Sequence, residues 1–366
     1  MDGLANTTIV GIAGFGIGIL FGAVTRWTDF CALGALADMG MNGDFRRLRS
    51  WLLAIAVGIL GSHLLHWHGS VDLYRSIYLS PSLGWLGAIL GGLIFGYGTV
   101  MARGCGGRSL IRLAGGDLRA LITLLALGMF SYMTLRGITG TGRLWLEGTT
   151  NVDLAGMGLA SQGIPEIISH LLDLAPDGVR TVCALAIGSA VLWFCLKDAP
   201  FRTSRKHVIA GVGIGVLATA GWAVTGILGF DEFEPAALAS LTFVRPIGDS
   251  LQYLMTFTGA TITFGIAAVG GTLIGGFAVA VAGGTMRIEG FNSASEMTDY
   301  LIGGALMGIG GVLALGCTIG QGVTGIATLS FGSALSVAAI LAGGAVAIAQ
   351  FGLNTADEAL GPAPGE

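Results

Sequence analysis

One fifteen-residue pattern occurs twice in this chain, and it limits the possible folds more than any other feature. Gly91-Gly92-x3-Gly96-x-Gly98-x3-Ala102-x-Gly104-Cys105 returns as Gly303-Gly304-x3-Gly308-x-Gly310-x3-Ala314-x-Gly316-Cys317. The seven matched positions share one offset of 212 residues. Each copy reads as an apolar helix stopped by a Gly-Cys turn, followed by a short glycine-rich and polar stretch. A repeated thiol at a helix break predicts a symmetric pore with thiols at its narrow point.

The surrounding solvent follows from composition. The chain is 53% hydrophobic and 11% charged, with a mean hydropathy of +0.79. Soluble domains carry about 25% charged residues, so the chain is built for a lipid bilayer. Nothing in it resembles a nucleic-acid patch. Glycine is abundant at 64 residues, and Gly18-x3-Gly22, Gly92-x3-Gly96 and Gly304-x3-Gly308 have the small-xxx-small spacing that lets membrane helices approach closely.

A bilayer span takes roughly 20 apolar residues. Nine stretches qualify: 7–26, 51–67, 83–102, 120–136, 179–196, 208–228, 256–283, 299–315 and 331–351. The first is not read as a secretory signal, because it follows Asp2 without a basic flank or a cleavage site. Basic residues then orient the spans. With the N-terminus outside and the C-terminus cytoplasmic, 13 of the 18 Lys and Arg fall on inner segments and five on outer ones. This scheme runs the span before Cys105 inward and the span before Cys317 outward, so the repeat is inverted. The expected fold is an all-α integral membrane protein of about nine transmembrane helices plus re-entrant half-helices. It forms a single polytopic domain over 1–366, with repeat elements at about 83–136 and 299–351.

The segments after both cysteines are too short to span and are expected as re-entrant half-helices. Exposed backbone at that depth is tolerated only where it lines a protein-buried or watered cavity. Half-helix N-termini attract anions, and Arg103 and Arg108 flank Cys105; the positive-inside bias accounts for the same arginines. Cys31 sits just past the first span, with a glycine nine residues before it, as for Cys105 and Cys317 (Gly22, Gly96 and Gly308). Cys183 and Cys195 lie within one apolar span and read as buried packing residues. A fainter echo, Gly22-x3-Arg26-x3-Phe30 against Gly283-x3-Arg287-x3-Phe291, joins two spans of the same direction and falls outside the inverted relation. His63, His66 and His68 read as interfacial polar residues rather than a metal set, since structural zinc usually takes four ligands. Residues 137–178 form a long outer connection, either a cap over the entrance or a plain linker with one short helix.

Ala102-Arg103-Gly104-Cys105-Gly106-Gly107 and Leu315-Gly316-Cys317-Thr318-Ile319-Gly320-Gln321-Gly322 resemble the paired Gly-Cys signatures of the YeeE/YedE sulfur-transport family. Asp29-Phe30-Cys31 resembles that family's N-terminal cysteine element. The resemblance runs from about residue 8 to about residue 350. It implies a bacterial inner-membrane importer of a small sulfur anion, thiosulfate first, with a selenium or other sulfur species as the alternative. It also implies a TusA-like sulfur-carrier partner at the cytoplasmic face. Carried over by position, Cys31, Cys105 and Cys317 are the functional thiols, with Gln321 a polar neighbour. Gly104, Gly106, Gly316, Thr318 and Arg108 complete the candidate substrate-binding set. Gly106 and Gly107 stand where the second copy has Thr318 and Ile319, so the halves do not bind identically. No metal or cofactor is expected, nor a fused carrier domain; the chain ends in a short Pro/Gly/acidic tail.

The chemistry suits such a cargo. Thiosulfate is a dianion with a soft terminal sulfur, and a neutral thiol donates a weak hydrogen bond. A thiolate would repel the anion, so the thiols are expected to be protonated. Conduction needs sites strong enough to enter and weak enough to leave. A membrane thiol or sulfur-transfer enzyme is the rival reading, but it would more often show a CxxC or a cofactor motif, and neither is present.

Overall fold

The computed structural model describes residues 6–41, 43–230 and 237–351, so the tail after Phe351 lies outside the described residues. The chain opens with α1 (Asn6–Thr28), the short α2 (Ala32–Met41) and α3 (Arg46–Trp67). Then come α4 (Trp85–Met101), the short α5 (Gly106–Ala114) and α6 (Leu118–Arg136). The long connection after α6 holds α7 (Gly140–Thr150) and α8 (Ile164–Leu172). After it follow α9 (Pro176–Lys197), α10 (Ala199–Thr203), α11 (Arg205–Ala223), α12 (Val244–Met255) and α13 (Phe264–Ala282). The last helices are α14 (Ala294–Leu313) and α15 (Phe331–Phe351), and the only paired strands among the described residues are β1 (Ser82–Leu83) and β2 (Val152–Asp153).

Among the described residues, eight candidate spans are long and apolar enough to cross a membrane. They contain α1, α3, α4, α6, α9, α11, α13 and α15. The expected span 299–315 lies in α14, a helix of 20 residues whose first turns carry Glu296 and Asp299. The expected span 256–283 is shorter than its hydropathy suggested. Its helix starts at Phe264; α12 ends at Met255, and the residues between hold only a 3-10 turn, Phe257–Gly259.

The small-residue spacing is used as the sequence implied. A Cβ on Gly92 would meet the Ser336 carbonyl, and one on Gly96 the Ile340 carbonyl, so α4 and α15 run side by side in the same direction. Gly18 and Gly22 place α1 against Ala268 and Thr272 of α13 in the same way, and Gly304 and Gly308 place α14 against Thr123 and Leu127 of α6. Substituting a side chain at these contacts would force whole helices apart. The two motif helices, α4 and α14, cross antiparallel. Gly91 meets Gly310 and Gly98 meets Gly303, each through backbone oxygens. These two contacts exchange under the repeat offset.

The 137–178 connection is more than a linker. It pairs β2 with β1, then runs over the segment after Cys317. Ile164 N–H donates to Leu329 O at 2.9 Å, and Phe331 N–H donates to Gln162 O at 3.0 Å.

Candidate functional site

The three candidate cysteines share one local architecture. α4 ends in a Schellman motif: Arg103 N–H donates to Val100 O at 3.0 Å and Gly104 N–H to Thr99 O at 2.9 Å. α14 repeats it, with Leu315 N–H to Val312 O at 3.1 Å and Gly316 N–H to Gly311 O at 2.8 Å. The left-handed position of such a cap usually holds glycine. Here it holds Arg103 (φ 53°) and Leu315 (φ 58°), each two residues before its cysteine. Asp29, two residues before Cys31, has φ 54°. Each cysteine carbonyl then opens a new helical segment. It accepts from Ala35 N–H at 3.0 Å, Ser109 N–H at 2.8 Å and Gln321 N–H at 2.7 Å for Cys31, Cys105 and Cys317. The glycine nine residues before each thiol therefore marks a true structural equivalence.

The thiols sit at the heads of these segments. Gly34 N–H donates to Cys31 Sγ at 3.4 Å, and Gly320 N–H donates to Cys317 Sγ at 3.3 Å. A sulfur that accepts from the backbone keeps its own S–H free to donate. Cys105 caps α5 with extended backbone, φ −74° and ψ 172°. Its thiol lies within electrostatic range of both Cys31 and Cys317 and within hydrogen-bond reach of the Thr318 side chain. Cys105 and Cys317 are buried in one core cluster, and Cys31 is partly exposed. All five cysteines are free thiols. Cys195 packs elsewhere, beside Leu53 and Phe201, and Cys183 lies at the edge of the main core.

The glycines at the turns have separate reasons. Gly104 has φ +155°, which a side chain rarely adopts. A Cβ at Gly106 would press on Ile247 and Leu127, one at Gly107 on Phe243, and one at Gly316 on Gln321. Gln321 Nε2 donates to Ala314 O at 2.5 Å, and its buried Oε1 has no partner among the described residues. Thr318 is buried. Arg108 does not present a bare charge to the centre. Its Nη1 lies 3.3 Å from Asp29 Oδ1, and Lys206 reaches the other Asp29 oxygen at 3.7 Å. Asp29 thus joins the turn of Cys31 to the half-helix of Cys105.

Three participants escaped the sequence reading. The segment 237–243 enters between the two repeat turns: Phe243 faces Gly107 and stacks near Phe21 at 5.0 Å, while Leu241 O accepts from Thr324 Oγ1 at 2.7 Å. Its mixed composition gave no periodic signal. Asp29 has a signal only in its position two residues before a cysteine. Tyr78 folds from the loop between α3 and α4 against Trp222, and burial, then the neighbouring Cys317, pushes its phenol up, which keeps it a proton donor.

The basic residues expected on the inner side are largely answered by acids. Arg46 pairs with Asp44 at 2.7 Å, Arg47 with Asp38 at 3.3 Å and Arg49 with Asp198 at 2.5 Å.

Comparison with known proteins agrees with this geometry. The chain is 26% identical over 340 residues to a thiosulfate transporter TsuA of Escherichia coli strain K12, covering 87% of this chain and 88% of the relative. It is 27% identical over 326 residues to a thiosulfate transporter TsuA of Spirochaeta thermophila, covering 87% and 92%. A shorter match, 30% identical over 93 residues, joins 25% of this chain to 20% of a probable transporter YedE of Escherichia coli. A family profile described as sulphur transport matches residues 28–346, and the chain belongs to that family, the YeeE/YedE family.

Proposed function

We propose that the protein imports thiosulfate across the bacterial inner membrane, handing it along Cys31, Cys105 and Cys317. The observation that carries this reading is the identical build of the three thiols. Each follows a left-handed residue, heads a short helical segment and carries its thiol toward a shared, glycine-lined centre. Helix N-termini supply partial positive charge for the sulfonate oxygens, and the thiols supply soft donors for the terminal sulfur. Several weak sites in series suit passage. Gln321 and Thr318 add neutral donors, while Arg108, matched by Asp29, positions the two inner turns.

The reciprocal, antiparallel crossing of α4 and α14 supports an inverted repeat, an arrangement that puts transport sites near the membrane midplane. The same reading places the N-terminus outside, and a TusA-like carrier at the cytoplasmic face. With Arg46, Arg47 and Arg49 paired internally, that docking falls to Lys197, Arg202 and Arg205. Uptake of labelled thiosulfate by cells lacking other importers, with and without each cysteine, tests the proposal. Wild-type uptake in a variant lacking all three thiols would reject the relay.

A further inference from the structure

Away from the cysteine centre, a cavity of about 550 Å³ opens between α3 and α9, a size typical of small-molecule sites. Its wall changes character with depth. Asp177 stands in the first turn of α9, and His63 and Arg180 lie about one turn inside the helix ends. His66, Trp67 and Thr181 complete that end, and Leu60, Leu64, Ala184 and Leu185 form the apolar wall, Leu60 and Leu185 lying deeper along the helices. The polar end therefore faces the membrane surface and the apolar end points toward the midplane, whichever way the protein is inserted. α9 presents exposed Val182, Trp193 and Phe194 on its outer side, as a lipid-facing helix does.

The polar end is incompletely satisfied. Arg180 is 2% exposed. Its Nε donates to Glu166 Oε1 at 2.8 Å, and its guanidinium stacks over Tyr74 at 4.4 Å. Nη1 and Nη2 are buried without partners among the described residues, and so is His63 Nε2. Buried polar groups left without partners are costly. Something that can accept from Arg180 would relieve that cost.

We propose that this cavity holds a membrane phospholipid with an amine-bearing, zwitterionic headgroup. The phosphate accepts from Arg180, the ammonium faces the exposed Asp177 carboxylate, and an acyl chain fills the apolar end. A free oxyanion fits less well. Arg180 is already matched by Glu166, Asp177 adds a negative charge at the mouth, and the leucine-lined depth would stay empty.

Native mass spectrometry of the full-length protein, stripped of lipid in detergent, provides the test. The probes are phosphatidylethanolamine, phosphatidylglycerol and inorganic phosphate. Phosphatidylethanolamine should bind about threefold to fivefold more tightly than phosphatidylglycerol, the scale of one partly exposed charge pair. Asp177→Asn should remove that preference while lipid still binds. Leu185→Trp, which fills the apolar end and leaves the Glu166–Arg180 pair intact, should cut lipid retention by about tenfold or more. Equal binding of the two lipids to the wild type, or an unchanged preference in Asp177→Asn, rejects the headgroup assignment. Unchanged retention in Leu185→Trp places the lipid elsewhere. Displacement of lipid by inorganic phosphate would make this a small-anion site and overturn the proposal.

Discussion

The turns at Cys105 and Cys317 are alike up to the sulfur and the first helical bond beyond it, and differ in what holds the segment that follows. Both helices end in the same Schellman bonds with a left-handed non-glycine residue. After Cys105 the chain forms α5, a half-helix anchored by charge: Arg108 to Asp29, and Arg112 to Asp117 at 2.6 Å and to the Tyr300 hydroxyl at 2.9 Å. After Cys317 the chain makes a π-helical turn, Gly320–Gly325, buried throughout and free of charged side chains. Hydroxyl and amide groups hold it instead: Gln321 on Ala314 O, Thr324 on Leu241 O and Thr328 on Gly325 O. A duplicated entry has thus been given one exit built on ion pairs and one built on neutral hydrogen bonds. On the proposed route, a dianion would meet donors without a fixed opposing charge at the second turn, and a compensated charge network at the first. π-helical turns are uncommon and often mark functional sites, which fits the second turn as the tighter of the two.

If the shared half of the motif is what handles the anion, losing either sulfur should have the same large effect. Cys105→Ala and Cys317→Ala should each lower thiosulfate uptake by about 10–100-fold, the value of one hydrogen bond to a charged group, at normal protein abundance. Cys183→Ala and Cys195→Ser should stay near wild type. A normal uptake rate in either of the first pair would break the equivalence of the turns, and a large loss in either of the second would mean other thiols carry the substrate.

The differing half should separate by stability and pH. Asp117 is the hub of the ion-pair lattice beyond α5, taking Arg112 at 2.6 Å and Arg119 at 2.9 Å, while Arg119 also meets Glu289 and Glu296. Burial pushes the Asp117 carboxyl up, but the Arg119 hydrogen bond and the Arg112 charge outweigh it and hold the group below the usual carboxylate range. A carboxyl held low when folded stabilises the fold above its unfolded value of about 4 and loses that contribution as the pH falls through the folded value. Asp117→Asn should therefore cost about 1–3 kcal/mol. Acid below about pH 4 should raise hydrogen exchange at 112–119 and 287–296 before it touches 318–330. Simultaneous opening of both regions would show that the two exits are not independently held.

Much of the shared half was legible in the sequence, and much of the differing half was not. Gly92-x3-Gly96 and Gly304-x3-Gly308 announced close helix pairs, because small residues four apart share a face. Cys31 could be grouped with Cys105 and Cys317 from its glycine nine residues back. The π-helical turn left no trace, since an i→i+5 bond has no compositional signature that glycine-rich sequence does not already carry. The Asp29–Arg108 pair joins residues from different spans, so no local pattern records it. The start of the helix at Phe264 was hidden because residues 256–263 alternate threonine with Phe257, Ala260 and Ile262 and carry no charge, and hydropathy counts residues without reading where the backbone turns.

A smaller effect should come from Gln321. Gln321→Leu removes the bond to Ala314 O, although Ser336 Oγ still reaches that oxygen at 3.3 Å. It also removes a buried Oε1 that lacks a partner. The net cost should be about 1 kcal/mol or less, with uptake reduced less than in Cys317→Ala. A loss as large as that of the cysteine would assign Gln321 a direct grip on the anion rather than a bracing one.

The finest distinction lies in the left-handed residues themselves. A side chain in that region costs roughly 1–2 kcal/mol relative to ordinary backbone, and glycine relieves the strain at some entropic cost in the unfolded chain. Leu315 is 49% exposed, so Leu315→Gly should leave stability unchanged or raise it by about 1 kcal/mol or less. Arg103 occupies the same backbone position but approaches Glu296 at 3.9 Å and stands over the Tyr300 ring at 6.0 Å. Arg103→Gly loses those contacts along with the strain, and should come out neutral to slightly destabilising. Thermal melts of the two variants in one detergent measure the difference directly. If Arg103→Gly gains as much as Leu315→Gly, Arg103 contributes only its backbone, and the charge network that distinguishes the Cys105 exit begins at Arg108 and Arg112.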